Sequence, residues 1–157
     1  MGEREAGTPV RQPRGRTPDT QQAEPPGEAS RLVLIFDGTC DLCTACVTAL
    51  YTLDWRRRML FAPFQRPGLP EAAGLTYAQC ERSVWAILPD GRRLSGATAV
   101  SAALDQLTVL PFFTWLARLP GVAPLEAAAY DWVARNRSRL PGVQPYCADH
   151  PDDCANR

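Results

Sequence analysis

The sequence predicts an α/β sandwich: a central mixed sheet, flanking helices, and extra helices towards the C-terminus. Three observations predict it. The run "LVLIF" from Leu32 has the β-branched and aromatic content of a strand covered on both faces. A helical period takes over directly after it, at Cys40. Strands and helices then alternate, as a layered α/β domain requires.

The elements follow in order. Asp37-Gly38 ends the first strand. Cys43, Cys46, Val47, Leu50 and Leu53 are expected on one helical stripe after it. Arg56, Arg57 and Arg58 stand just past that helix, where cations suit its negative end or are simply solvated. "MLFAPFQ" reads as a second strand, parallel to the first through a right-handed crossover. "GLPEAAGLTYAQCER" reads as a loop and a short helix. "SVWAILPDGRRLSG" reads as a hairpin turning at Pro89-Asp90-Gly91. "ATAVSAALDQL", "PFFTWLARL" and "PLEAAAYDWVARNRSRL" read as three helices, the last opened by Pro124 and stopped by Pro141-Gly142.

The 157 residues allow one domain with tails. Residues 1–30 hold many prolines and no aromatics, so a disordered extension is expected there. Residues 31–142 form the expected domain and 143–157 a polar tail. Basic and acidic residues balance at 17 each, which excludes the basic footprint of a general nucleic-acid binder. All the basic residues are Arg, a pattern that fits codon bias. No stretch reaches the roughly 18 apolar residues of a membrane span, so stable membrane insertion is not expected. The N-terminus lacks the apolar core of a signal peptide, and a cytoplasmic protein is expected. Structural disulfides are rare in that compartment, so its six cysteines point to redox chemistry, metal binding or plain burial.

Cys40 and Cys43 carry the sharpest signal. A pair at i and i+3 in a first helical turn is close enough to form a disulfide. Cys40 falls at or beside the helix N-cap, where free N–H groups and the positive helix end stabilise a thiolate. The thiolate is the nucleophile, which makes Cys40 the attacking sulfur. Cys43, one turn further in, suits the resolving role. CxxC beside a βαβ pattern reads as a thioredoxin-like redox motif.

"FDGTCDLC" resembles the signature of the DCC family of thiol-disulfide oxidoreductases, through Asp37, Cys40 and Cys43. The resemblance continues in "FAPFQ" (Phe61–Gln65), the "PDG" turn and "YDWVARNR" (Tyr130–Arg137), and covers about residues 32–140. It implies a thioredoxin-like fold and thiol-disulfide exchange by a redox-active Cys40–Cys43 disulfide, with no bound cofactor or metal. The substrate would be a protein or small-molecule thiol or disulfide. Two departures from thioredoxins stand out. Asp41-Leu42 replaces Gly-Pro between the cysteines. Ser83 stands where thioredoxins carry a cis-proline, so backbone docking of substrate as in thioredoxins is not expected.

Asp37 and Asp41 could both lie near the Cys40 sulfur. Like charge disfavours the thiolate, which predicts a raised thiol pKa and a reductant. Asp37 is either a turn residue capping its own loop or a proton acceptor for Cys43. Asp41 also suits a helical first turn. Arg135, Asn136 and Arg137 either cap the last helix or lie near Asp37 and offset its charge.

Cys46 extends the run to CxxCxxC, the start of an iron–sulfur motif whose fourth cysteine is replaced by Leu50. Burial as a small core residue is expected of it, and likewise of Cys80. Cys147, His150 and Cys154 could bind zinc with one more ligand, or form a tail disulfide, or remain free thiols. Phe112, Phe113, Trp115 and Trp132 are expected in helix packing, with a partner groove as the alternative. Two alternatives to the enzyme remain: a non-catalytic binding module and a cysteine-ligated zinc or iron–sulfur protein.

Overall fold

The structure, a computed structural model, describes residues 31–108 and 110–154. The expected extension over 1–30 lies outside the described residues. Four strands form one sheet: β1 (Leu32–Phe36), β2 (Met59–Pro63), β3 (Trp85–Ile87) and β4 (Arg93–Ser95). The helices are α1 (Asp41–Leu53), α2 (Leu69–Ala72), α3 (Tyr77–Arg82), α4 (Gly96–Leu107), α5 (Phe112–Leu116), α6 (Val122–Asn136) and α7 (Tyr146–Asp149). Short 3₁₀ turns follow α6 at Arg137–Arg139 and α7 at Pro151–Asp153.

The sheet order is β2-β1-β3-β4, with β1 parallel to β2 and antiparallel to β3. A mixed four-stranded sheet with flanking helices is consistent with a thioredoxin-like fold. β1 is central because its residues face two cores. Leu32, Leu34 and Phe36 point to one side with Val47 of α1, Met59, and Ala99, Ala102 and Ala103 of α4. Ile35 points to the other with Phe64, Leu75, Cys80 and Ile87. Alternation of side chains along a strand requires this split. Each large apolar side chain so buried stabilises the fold by about 1.5–3 kcal/mol.

Polar side chains set the turns. Buried Asp54, just after α1, accepts the backbone N–H of Arg58 at 3.0 Å and of Met59 at 2.8 Å, which starts β2. Thr76 and Gln79 cap the start of α3 reciprocally. Tyr130 of α6 accepts the N–H of Val84 at 3.0 Å and pairs with the Ser83 hydroxyl at 3.2 Å, so α6 is fixed to the start of β3.

Several expectations are corrected. Cys46 and Leu53 are exposed. Cysteines three apart on a helix drift about 60° per step, so the buried stripe runs through Cys43, Thr44, Val47 and Leu50 instead. Trp115 and Trp132 are each 55 % exposed and Phe112 is 51 % exposed. α5 and α6 therefore present these rings to solvent and do not bury them between helices. "PFFTWLARL" forms only one turn and a half, because Pro111 and Gly121 bound it closely. In the segment after residue 142, Tyr146 is buried against Phe36, ring edge to face at 5.7 Å.

Candidate active site

The end of β1 and the start of α1 build the site. The N–H of Cys40 returns to the carbonyl of Asp37 at 3.3 Å, turning the chain sharply into the helix. Cys40 is the N-cap of α1, and its Sγ accepts the backbone N–H of Cys43 at 3.2 Å. Cys40 and Cys43 are free thiols, both half-buried. The two cysteines that the sequence pairs are thus brought together at a helix start.

The thiols are split in acidity. Cys40 falls from 9.0 to about 6, first because the Cys43 thiol donates to it, against the penalty of its own burial. The Cys43 backbone N–H and the Arg137 charge lower it further. Cys43 is pushed well above the ordinary thiol range by the same hydrogen bond, by burial, and by the negative charges of Cys40 and Asp37. This corrects the raised thiol pKa expected for the nucleophile. Asp37 does act in the expected direction, but it is the weakest influence on Cys40 and is outweighed. Asp41 is exposed and does not figure among the groups that move Cys40.

Asp37 sits under the turn in a fixed cradle. Its Oδ1 accepts the Thr39 N–H at 3.0 Å, the Thr39 hydroxyl at 2.7 Å and the Gln65 amide at 2.8 Å. Its Oδ2 lies 3.3 Å from Arg137 Nη1. Arg137 therefore takes the second of its two expected places, beside Asp37.

Gln65 is the residue that sequence reading passed over. It lies two residues beyond β2, only 7 % exposed, and its Oε1 accepts the Gly38 N–H at 3.0 Å. One amide thus holds both the backbone and the carboxylate of the Asp37-Gly38 turn. Its place at the end of the apolar "FAPFQ" run, a polar residue where a strand should stay covered, is the signal that could have found it.

Residues 142–147 run alongside the motif as a strap. The N–H groups of Val143, Tyr146 and Cys147 bond to the Asp41 carbonyl at 3.2 Å, the Thr44 hydroxyl at 3.1 Å and the Gly38 carbonyl at 2.9 Å. Cys147 and Cys154 are joined in a disulfide, so neither offers a thiolate to zinc. His150 stacks on Tyr146 at 4.3 Å. A cleft of about 610 Å³ opens here, lined by Asp37, Thr39, Gln65, Arg137, Cys147 and Cys154 among others. Cys80 is buried, and burial pushes its thiol up to about 11, which makes it inert. Among the described residues no group of three or more His, Cys, Asp or Glu is placed to hold a metal ion. Among them, too, no helix is long and apolar enough to cross a membrane.

A helix-capping CxxC pair on a thioredoxin-like sheet defines the class of thiol-disulfide oxidoreductases. Residues 34–143 match the family of DCC1-like thiol-disulfide oxidoreductases, and the chain belongs to that family. No curated protein and no solved structure gives a match.

Proposed function

We propose that the protein exchanges dithiols and disulfides through Cys40 and Cys43, and that it works as a reductant. The observation that carries this is the Cys40 sulfur at the N-cap, accepting from Cys43 at 3.2 Å, with a thiol pKa of about 6. At neutral pH such a thiol is mostly thiolate. The Cys40 thiolate attacks one sulfur of a substrate disulfide; that S–S bond breaks and the other substrate sulfur leaves as a thiolate. The Cys43 thiol then loses its proton and attacks Cys40 Sγ. The Cys40–Cys43 disulfide forms, and the second substrate sulfur leaves. Two electrons pass to the substrate.

Cys43 needs a proton acceptor because its thiol is held high. We assign that role to Asp37 through Oδ2, since Oδ1 is already filled by three donors. The substrate is a protein or small-molecule disulfide that enters beside Thr39 and Arg137, and a cytoplasmic setting belongs to the same reading. The direction rests on position between known extremes. A nucleophile near 6 is closer to the thiol of thioredoxin, at about 7, than to that of a strong disulfide donor, at about 3.5.

Titration against defined dithiol/disulfide buffers, with alkylation mapped by mass spectrometry, tests the reading. Cys40 and Cys43 should oxidise together as one two-electron couple. The midpoint should lie nearer the roughly −270 mV of thioredoxin than the roughly −120 mV of a strong disulfide donor. Independent titration of the two thiols would remove the enzyme reading, and an oxidising midpoint would remove the direction.

The exposed rings of Phe112, Trp115 and Trp132 favour a second reading, a docking module with idle thiols. Cys40→Ser separates the two. Loss of exchange with the fold intact supports the enzyme, and unchanged exchange supports the module.

A further inference from the structure

We propose that Cys147–Cys154 is a second redox pair, which exchanges electrons with Cys40–Cys43 through a Cys40–Cys147 mixed disulfide. The inference rests on the exchange chemistry of Cys40 and Cys43 set out above, and gives that pair an internal partner.

Cys147 does not merely share a surface with the motif; its Sγ rests on it. A Cβ added at Gly38 would meet that sulfur at 2.6 Å. Consecutive Cα atoms are about 3.8 Å apart, so the Cα of Cys40 is within about 7.6 Å of that of Gly38. Three strap hydrogen bonds bracket the CxxC turn at Gly38, Asp41 and Thr44, which holds Cys147 in register with it. Cys43, Cys147 and Cys154 all pack on the same core cluster.

The tail pair is also reachable. Both its cysteines are half-buried and both line the cleft that Asp37, Thr39 and Arg137 share. The elements that carry them, α7 and the following 3₁₀ turn, have only four and three residues. The disulfide closes a sequence separation of only 7, so its loss would release little chain.

The exchange balances within the molecule. The Cys40 thiolate attacks Cys147 Sγ; the Cys40–Cys147 bond forms, the Cys147–Cys154 bond breaks, and Cys154 leaves as a thiolate. Cys43 loses its proton and attacks Cys40 Sγ; the Cys40–Cys43 bond forms and Cys147 leaves as a thiolate. Two thiols are oxidised, one disulfide is reduced, and the two outgoing thiolates take up protons. The reverse sequence recharges the CxxC pair from a reduced tail.

The test follows the linkage itself. The Cys43→Ser chain, purified with its tail disulfide intact, is alkylated and digested without reductant. A Cys40–Cys147 linked peptide is expected, since the resolving thiol is missing. The Cys154→Ser chain approaches the same linkage from the other side, its free Cys147 attacking the oxidised pair at Cys40, and serves if the first variant does not fold. In the full wild-type chain, limiting dithiothreitol should reduce the tail disulfide at least about tenfold faster than in Cys40→Ser, because an intramolecular donor acts at millimolar effective concentration. Equal reduction rates, with no linkage in either variant, overturn the relay. If the wild-type Cys40–Cys43 pair still titrates as one couple in the same digests, the proposed function stands without it. If that pair never forms, the function itself has failed.

Discussion

Arg137 Nη1 lies 3.3 Å from Asp37 Oδ2, so the carboxylate beside the CxxC pair carries its own counter-ion. The consequence is a sign. An isolated Asp37 would hold the Cys40 thiolate back; with Arg137 opposite, the guanidinium contributes more to lowering the thiol than the carboxylate does to raising it. The 3₁₀ turn after α6 brings Arg137 there, and Tyr130 fixes α6 against β3.

The first prediction concerns pH. The ordinary thiol value is 9.0 and Cys40 lies at about 6, so alkylation of the reduced chain should rise with pH through about 6 and then level. At pH 7, one unit above, about ten chains in eleven carry the thiolate. Cys43 should stay unreactive over the same range, because its thiol is displaced upward. Arg137→Gln removes a charge that lowers Cys40, so the midpoint should move up and the rate at pH 6 should fall about twofold or more. An unmoved midpoint would show that the guanidinium does not act on the sulfur.

Asp37→Asn should separate charge from proton transfer. Removing the anion lowers both thiols, so the Cys40 alkylation midpoint should move below about 6. If charge were its only role, exchange would speed up throughout. As the acceptor for Cys43 it should instead be missed in the second step, by about 10²-fold as for other general bases. Rapid quenching during reduction of a model disulfide reads this directly. A mixed disulfide on Cys40 should accumulate in Asp37→Asn and stay scarce in the wild type.

The sheet and the CxxC pair were legible because both depend on local pattern. "LVLIF" can only satisfy its two apolar faces inside a sheet, and Cys40 directly precedes a helical period. The counter-ion of Asp37 was legible only as one of two options, since Arg137 is 100 residues away in the chain. The direction of the Cys40 shift was misjudged because sequence shows charges and not distances. Asp37 and Asp41 looked equivalent, while the hydrogen bond from Cys43 dominates. A spacing of three residues drifts off one helix face, so Cys46 turns to solvent. Apolar content does not show which face is covered: α5 and α6, which carry Trp115 and Trp132, hold no buried residue.

Gln65→Leu should unsettle the turn without touching a cysteine. The amide serves Gly38 and Asp37 together, so an apolar replacement leaves a buried N–H without its acceptor and one carboxylate donor short. Loss of about 1–3 kcal/mol is expected, read as a lower urea midpoint with an unchanged slope. Gln65→Glu is the sharper variant. It would set a second carboxylate against Asp37, so its stability should fall as pH rises through the range where that pair must ionise. A pH-independent loss would argue that Gln65 only fills space.

Gly38→Ala tests whether the strap is seated on the turn that precedes the CxxC pair. The added Cβ would lie 2.6 Å from Cys147 Sγ and 2.8 Å from the Pro63 Cβ, too close for either to remain in place. Overpacking of this kind costs about 1–3 kcal/mol. The two contacts can be told apart by repeating the substitution in a Cys147→Ala/Cys154→Ala chain. There the sulfur no longer opposes the new methyl group, and Pro63 and, at 3.1 Å, Gln65 Oε1 still do. The loss should shrink by at least about 0.5 kcal/mol, the size of coupling expected between residues in contact. Equal losses in the two backgrounds would place the whole conflict at Pro63 and Gln65 and leave Cys147 free of Gly38. A smaller loss beside the alanine pair ties the tail disulfide physically to the turn that presents Cys40.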